Sequence, residues 1–530
     1  MTADPSVAWW RGGVLYQVYP RSFADANGDG VGDLRGITAR LDHLAWLGVD
    51  GLWLNPTFPS PNADWGFDVS DFQGVHPELG TLADLDELVA EAGQLGIRVL
   101  LDLVPNHTSD AHPWFQDSRS SRHAAHRHWY VWCDGAGEGE PPNNWLSNFG
   151  GPAWTWDEAT GQWYLHNFLP RQPDLDWWQP QVRDAFDELM TWWFDRGIAG
   201  FRIDAAHAIV KDRELRDNPD ATAEDAETWR LVGQRPIFSM NRDEVHDVLG
   251  HWRELAEARP DKPVLLGETW VLDLDALARF YGSGADELHL AFNFVFMLAT
   301  FDAPTLAPIV ARTDELLRGE AWPVWTISNH DVTRAPTRWA GDDEDAARAA
   351  LVLLFALRGT PVLYYGDELG LREADVPRER VKDPVGLQGV YRGRDGARTP
   401  MPWTGEEGAG FTAPGVEPWL PFGDLSRNVV AQREDPGSML HLCRDLIALR
   451  RSQPDLVEGA YTPLEAPEGA WAFARGRSHA VALNLTPEPR VVDGLEGEVV
   501  LASRRAREGE AVDGRIALAS WDAVVLRTRA

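Results

Sequence analysis

Short apolar runs recur along the first 365 residues of the chain, at residues 14–19, 49–54, 97–104, 197–204, 264–268, 287–292, 323–328 and 360–365. Most of these runs lack a strict alternation of apolar and polar residues, which is typical of strands buried on both faces of a parallel sheet. Segments with helical spacing lie between them, for example residues 37–47 and 81–95, where Thr81 is a candidate N-cap and Gly96 a candidate stop. This alternation predicts an α/β fold, a closed (β/α)8 TIM barrel rather than an open doubly wound sheet.

Two stretches depart from this alternation. Residues 106–174 are rich in Trp, His, Pro and Gly and lack a helical period, so they predict an irregular inserted domain after strand 3, over the barrel mouth. Short runs at residues 470–474, 480–484 and 521–526 predict antiparallel strands. We therefore expect a barrel at residues 1–105 and 175–455, including a helix at 435–452, an inserted domain at 106–174, and a C-terminal antiparallel β domain, a β-sandwich, at 456–530.

The composition narrows the choice of partners. The formal net charge is −33, which disfavours nucleic acid and anionic membrane surfaces and favours a neutral small molecule. Cys133 and Cys443 are the only cysteines, so no disulfide framework is implied. No basic segment followed by an apolar core opens the chain, and no apolar window approaches the ~18 residues of a membrane helix. We expect a cytoplasmic protein, a monomer or a homodimer.

The candidate catalytic and binding residues lie at the ends of the predicted strands. Arg202 and Asp204 are two residues apart on the fourth strand, so they point to the same side, and the arginine should keep the carboxylate ionised. The other strand ends supply Asp64, Phe67, Asp68, Asp102, Asn106, His107, Glu268, His330 and Asp331. In a TIM barrel these ends meet at one mouth, which is where active sites form.

These residues would form a ring of carboxylates, histidines and one arginine at the mouth of the barrel. Two reaction classes fit such a ring: metal-assisted hydrolysis with His and Asp ligands, and glycoside hydrolysis by paired carboxylates. The arginine beside Asp204 and the absence of HxH or HExxH spacing at these ends disfavour the first class. No GxGxxG or GxxxxGK[ST] motif follows a predicted strand, which disfavours a nucleotide site.

Glycoside hydrolysis gives each group a role. Asp204 attacks the anomeric carbon and forms a covalent intermediate, while Glu268 protonates the leaving oxygen and then deprotonates water. Asp331 holds sugar hydroxyls more tightly as the ring flattens in the transition state. His107 and His330 donate hydrogen bonds to hydroxyls.

An early loop, residues 25–33, carries oxygen side chains at alternate positions with glycines between them. Such a loop can wrap a hard cation, although Gly36 stands where an EF-hand needs glutamate. The alternative is an Asx-rich turn without an ion.

Several motifs occur together in a fixed order: DLVPNH at 102–107, GFRID at 200–204, GETW at 267–270 and SNHD at 328–331. SPNADWGFD at 60–68 and GRDGARTPMPW at 393–403 accompany them. With these motifs the whole chain resembles the α-amylase superfamily of retaining glycoside hydrolases, and within it the α-glucosidase and oligo-1,6-glucosidase group.

The resemblance implies an exo-acting enzyme that trims terminal glucose from short oligosaccharides. It implies Asp204 as nucleophile, Glu268 as acid/base and Asp331 as transition-state stabiliser. It further implies contacts to the terminal glucose from Asp64, His107, Arg202, His330 and Arg394, with Asp64 and Arg394 closing the pocket. The early loop would hold Ca2+ or Mg2+ through Asp25, Asn27, Asp29, the Val31 carbonyl and Asp33.

Two positions depart from the usual pattern of the group. Phe67 replaces the usual tyrosine, which keeps stacking on the sugar and loses a hydroxyl contact. Ala205 follows the nucleophile where members that prefer α-1,6 linkages carry valine, so we expect a preference for α-1,4 linkages. A transglucosylase, a sucrose or trehalose isomerase, and an inactive binding subunit remain alternatives.

Overall fold

The computed structural model describes residues 8–137, 139–388 and 393–529. Its strands are β1 Leu15–Val18, β2 Gly51–Leu54, β3 Arg98–Leu103, β4 Trp132–Cys133, β5 Trp154–Asp157, β6 Gln162–Leu165, β7 Gly200–Ile203, β8 Val264–Gly267, β9 Leu290–Ala291, β10 Val324–Thr326, β11 Thr360–Tyr364, β12 Tyr461–Leu464, β13 Ala470–Arg475, β14 His479–Asn484, β15 Arg490–Ala502, β16 Ala511–Leu518 and β17 Ala523–Thr528.

The α-helices are α1 Trp9–Gly12, α2 Leu34–Thr38, α3 Leu41–Leu47, α4 Leu82–Gln94, α5 Pro113–Ser118, α6 Pro180–Asp195, α7 Glu227–Val232, α8 Val245–Glu257, α9 Leu274–Arg279, α10 Phe294–Met297, α11 Ala303–Leu316, α12 Ala335–Arg338, α13 Glu344–Ala356, α14 Pro384–Gln388, α15 Val429–Glu434, α16 Met439–Ser452 and α17 Pro454–Val457. Thr81 caps α4 through a capping box with Asp84, as the sequence predicts. The predicted helix at 37–47 is divided into α2 and α3.

The predicted TIM barrel is confirmed. Eight parallel strands pair in the order β10-β11-β1-β2-β3-β7-β8-β9, and a parallel bridge between Phe292 and Val324 joins the two ends of that order. The β9 strand is shorter than the predicted run at 287–292, because the Glu287 and Leu288 amides bond instead to the carbonyls of Tyr281 and Phe280.

The barrel strands are buried on both faces, as their apolar runs predict. Inside the barrel, Leu15, Trp53, Leu100, Leu266 and Val362 belong to one apolar cluster. On the outer face, alternate strand residues pack with the surrounding helices in a second, larger cluster. Tight packing on both sides fixes each strand end, and therefore the side chains that the strand ends carry.

Residues 106–174 leave the barrel after β3 and contain α5 and a three-stranded antiparallel sheet of order β4-β6-β5. A bridge between His107 and Asp174 ties the start of this segment to its end. The inserted segment is therefore rooted at the barrel mouth.

The C-terminal strands form one antiparallel sheet of order β12-β13-β14-β17-β15-β16. The short apolar runs of this region predict a sandwich, whereas the described strands form a single hydrogen-bonded sheet, since β15 pairs with both β16 and β17. Trp471 and Phe473 pack from one face into the large cluster, and Val492 and Val512 belong to a separate cluster. Among the described residues, no helix has the length and apolarity to cross a membrane.

Candidate active site

Backbone hydrogen bonds place the two central carboxylates at the mouth of the barrel. The Asp204 amide donates to the Leu103 carbonyl at 2.8 Å, and the Glu268 amide donates to the Ile203 carbonyl at 2.9 Å. Both bonds extend the parallel ladder by one residue past the ends of β7 and β8. The two side chains therefore start from neighbouring strand ends.

Arg202 joins three carboxylates in one buried cluster. Its Nη1 donates to Asp102 Oδ1 and to Asp204 Oδ1, both at 2.6 Å, and its Nη2 donates to Glu268 Oε2 at 2.7 Å. The Arg202 side chain is 1% exposed. Such short charge-assisted bonds hold all three carboxyl groups in fixed orientations.

The same burial changes the protonation of the cluster. Burial raises the pKa of Asp204 well above its ordinary value, Arg202 opposes this shift, and the nearby carboxylates Glu268 and Asp102 add to it. Burial likewise raises the pKa of Asp102 to about 7, against the effect of Arg202. The prediction that Arg202 keeps Asp204 ionised is therefore incomplete, because burial and the two neighbouring carboxylates raise the pKa of Asp204. Three carboxylates around one guanidinium favour a cluster that retains a proton near neutral pH.

Asp331 lies in a more basic environment. Its Oδ1 accepts from Arg394 Nη1 at 3.1 Å and from Arg398 Nη2 at 3.0 Å, and its Oδ2 lies 3.0 Å from His330 Nε2. Burial alone would raise the pKa of Asp331, but His330, Arg394 and Arg398 outweigh it and hold the pKa below its usual range. Asp331 is therefore a carboxylate across the working pH range.

Asp64 and Arg394, from the loops after β2 and β11, meet at 2.6 Å between Asp64 Oδ1 and Arg394 Nη2. Burial raises the pKa of Asp64 to about 6, although Arg394 and Arg398 oppose the shift. Gln172 of the inserted segment donates to Asp64 Oδ2 at 3.3 Å. The inserted segment thus contributes to the same end of the site.

The histidines are buried and neutral. Burial lowers the pKa of His107 to about 3 and lowers that of His330 well below its ordinary value. His107 Nε2 lies 3.1 Å from the Phe67 carbonyl oxygen and 3.0 Å from Gln172 Nε2. The Phe67 ring stacks on His330, with centroids 5.1 Å apart. Gln17 Nε2, which can only donate, lies 2.8 Å from His330 Nδ1, so the proton of the neutral imidazole is on Nε2.

A cavity of about 900 Å³ opens over these groups. Its lining includes seven of the predicted site residues: Asp64, Phe67, His107, Asp204, Glu268, Asp331 and Arg394. Apolar side chains, among them Phe149, Phe168, Met240, Trp270 and Phe294, form much of the remaining wall. Arg202 and His330, at 1% and 0% exposure, are not among its lining; Arg202 bonds the carboxylates of the cluster and His330 stacks with Phe67. Their contact with a bound sugar stays a prediction.

Three residues that bond to the site are absent from the residues predicted from the sequence. Gln172 bonds Asp64 from the inserted segment, Arg398 bonds Asp331, and Asp383 bonds Arg394. Arg398 lies in the GRDGARTPMPW motif and could have been identified there. Asp383 carries no local signal, since its partner becomes visible only in the folded chain.

The early loop holds its side chains in backbone turns. Asp25 accepts from the Gly28 and Gly30 amides, Asp29 accepts from the Val31 amide, and Asp33 accepts from Ala26, Asn27 and Gly36. The described residues contain no group of three or more His, Cys, Asp or Glu side chains arranged to hold a metal ion. The oxygen-rich donor set suits a hard cation, and in this structure the Asp25, Asp29 and Asp33 carboxylates accept from backbone amides of the loop. Ca2+ or Mg2+ binding at this loop stays a prediction.

Comparisons with known proteins agree with this geometry. The family model "Alpha amylase, catalytic domain" matches residues 17–459. A probable alpha-glucosidase of Rhizobium meliloti (strain 1021) is 41% identical over 99% of this chain and 98% of its own. A crystal structure of the alpha-glucosyl transfer enzyme XgtA superposes with a TM-score of 0.91 at 40% identity, over 99% and 100% of the two chains.

The trehalulose synthase MutB from Pseudomonas mesoacidophila MX-45 superposes with a TM-score of 0.90 at 31% identity, over 99% of this chain and 100% of its own. All of these proteins share nearly their full length with this one. The chain belongs to the α-amylase family of glycoside hydrolases, and within it to the group of α-glucosidases and oligo-1,6-glucosidases.

Proposed function

We propose that the protein is a retaining, exo-acting α-glucosidase that releases terminal α-glucose from short oligosaccharides and prefers α-1,4 linkages. One observation carries the proposal: Asp204 and Glu268 bond to the two terminal nitrogens of one buried guanidinium. This shared partner supports a short separation between the carboxyl groups, as in retaining enzymes, where it is about 5–5.5 Å. Inverting enzymes need about 6.5–9.5 Å to admit a water between the groups.

In the first step, Asp204 attacks the anomeric carbon while the glycosidic C–O bond breaks and Glu268 gives its proton to the leaving oxygen. The product is a covalent glucosyl ester of Asp204. In the second step, Glu268, now a carboxylate, takes a proton from water, and the water oxygen displaces Asp204. The cycle starts with the proton on Glu268 and with Asp204 as the carboxylate.

Asp331, Asp64 and Arg394 also line the cavity and can bind the sugar. Asp331 stays ionised beside Arg394 and Arg398, so it can accept hydrogen bonds from sugar hydroxyls as charge develops on the ring. The ion pair between Asp64 and Arg394 at 2.6 Å supports a pocket closed at the non-reducing end. A closed end favours release of single terminal residues.

The linkage preference rests on Ala205. This residue is buried, lines the cavity and donates its amide to Glu268 Oε2 at 2.9 Å. Its φ of 44° lies in the left-handed region, a conformation that bulky β-branched residues adopt with strain. A methyl group beside the acid/base leaves room that a valine would fill, and this room supports the α-1,4 preference.

Product analysis by NMR tests the proposal. Maltose, isomaltose and sucrose are incubated in parallel, and the anomeric proton is followed from the first turnover. Early α-glucose from maltose, with little from isomaltose, is the expected result. Dominant isomaltose turnover would refute the linkage preference alone, whereas early β-glucose would refute Asp204 as nucleophile.

Glucosyl transfer or isomerisation is the second candidate function. The solved structures that resemble this chain include a glucosyl transfer enzyme and a trehalulose synthase, which supports this candidate. In both, the first chemical step would be the same, and a sugar hydroxyl would replace water in the second. A new disaccharide from maltose or sucrose in the same NMR experiment would favour it.

A further inference from the structure

The Arg394 guanidinium is held mainly by Asp383. Asp383 Oδ2 accepts from the Arg394 amide at 2.7 Å, and Asp383 Oδ1 accepts from Nε at 3.0 Å and from Nη2 at 2.7 Å. Asp64 and Asp331 each accept only one bond from the same guanidinium. Two bonds from one edge of a planar group fix its plane, which a single bond cannot do.

Asp383 acts from behind the cavity. Its side chain is fully buried, and it does not line the cavity that Asp64, Asp331 and Arg394 line. Its own position is fixed in turn, because the Lys382 and Asp383 amides both donate to Asp395 Oδ2, at 2.6 and 3.0 Å. The residue therefore has no direct access to a bound sugar from its present position.

The charge on Asp383 is permanent in the working range. Burial would raise its pKa, but Arg394 and Arg398 outweigh burial and lower the pKa to about 2. Without this carboxylate, Arg394 would lose the partner of Nε and one partner of Nη2, and only its two terminal nitrogens would stay bonded. The guanidinium would then be held only at its Nη1 and Nη2 end, by single bonds to two separate carboxylates, Asp331 and Asp64, and no longer at Nε.

We propose that Asp383 is a positioning residue, which fixes the Arg394 guanidinium in the plane that reaches both Asp64 and Asp331 and thereby sets how tightly the closed end of the pocket holds the terminal sugar. The inference rests on the proposed function, because it assigns the terminal sugar to that end. Arg394 contacts the part of the sugar that does not react, so its loss of order weakens binding of the substrate and of the transition state alike. Such a loss raises KM more than it lowers kcat.

The variant Asp383→Asn keeps the volume of the side chain and removes its charge. We expect KM for maltose to rise about tenfold or more, as for a lost buried charge-assisted bond, while kcat changes less. The matched control is Asp522→Asn, a buried aspartate just before β17 that pairs with Arg507, and its KM should equal that of the wild type.

A double-mutant cycle separates positioning from a merely structural role. In an Arg394→Ala background, Asp383→Asn should leave KM and kcat unchanged, because the residue through which it acts is gone. The same rise in KM with and without Arg394 would overturn the inference, and so would a variant that lowers only the thermal unfolding temperature.

The conservative variant Asp383→Glu keeps the charge and covers the case in which Asp383→Asn fails to fold. It moves the carboxylate by one methylene, so a KM between those of wild type and Arg394→Ala is expected, and a wild-type KM would overturn the inference. If the wild-type protein itself releases no glucose from maltose, the proposed function fails, which is a separate result.

Discussion

Replacement of Arg202 by lysine tests whether one guanidinium organises the catalytic cluster. Arg202 makes three bonds of 2.6–2.7 Å to Asp102, Asp204 and Glu268 in a site that is almost fully buried. Lysine carries a single charged nitrogen and cannot span the two edges that the guanidinium spans. At least one of the three carboxylates therefore loses its partner.

The expected loss of stability follows from these contacts. A hydrogen bond to a charged group contributes about 1.5–3 kcal/mol, so the loss of one or two bonds costs about 1.5–6 kcal/mol. Unfolding entropy is about 2.1 cal/mol/K per residue, which for 530 residues amounts to about 1.1 kcal/mol/K. If the chain unfolds as one unit, Tm of Arg202→Lys should fall by about 1.4–5.5 °C at pH 7.5.

The effect should depend on pH with a defined sign. The folded-state pKa values of Asp102 and Asp204 are raised, so both carboxyl groups bind protons more readily as the pH falls. At pH 5, more of these carboxyl groups are protonated, so the guanidinium neutralises fewer negative charges and stabilises the folded state by less. The difference in Tm between wild type and variant should therefore be smaller than at pH 7.5.

Differential scanning calorimetry at both pH values measures the two Tm differences. Arg119→Lys is the matched control, because Arg119 is partly exposed and bonds one aspartate, Asp157, at 2.9 Å. Its Tm should change by less than about 1 °C. A change below about 1 °C for Arg202→Lys at pH 7.5, or a change independent of pH, would refute the assigned role of the guanidinium.

Three further outcomes are expected. Glu268→Gln should lower kcat on maltose by about 10²- to 10⁴-fold, measured as initial glucose release, and an unchanged kcat would remove Glu268 from the acid role. Asp102 has a folded-state pKa of about 7, above its unfolded value, so its contribution to stability is present in acid and is lost as the pH rises toward 7. Between pH 4 and 7, Tm of Asp102→Asn should therefore fall less than Tm of the wild type. An equal fall in both proteins, measured by calorimetry, would contradict this. Saturating Ca2+ or Mg2+ should raise Tm of the wild type and EDTA should lower it, with little effect on Asp29→Asn; equal shifts in both proteins would argue for the ion-free Asx turn.

The apolar runs alone were enough to predict the barrel. Each run has to be buried on both faces, and eight such strands separated by helices form a closed (β/α)8 barrel. The same reasoning predicted that Asp204, Glu268 and Asp331 meet, since the ends of parallel strands share one mouth. The spacing of Arg202 and Asp204 predicted their ion pair, which the structure shows at 2.6 Å.

The tertiary structure decided what depends on contacts between distant parts of the chain. Arg202 also bonds Asp102 and Glu268, respectively 100 and 66 residues away, and that sharing, together with burial, raises the pKa of Asp204. Asp383 and Gln172 have no local pattern that points to Arg394 or Asp64. Periodicity encodes which face of an element is buried, because it repeats along the chain. Protonation and side-chain orientation depend instead on which charges folding brings together in a medium without water, and no local pattern specifies that.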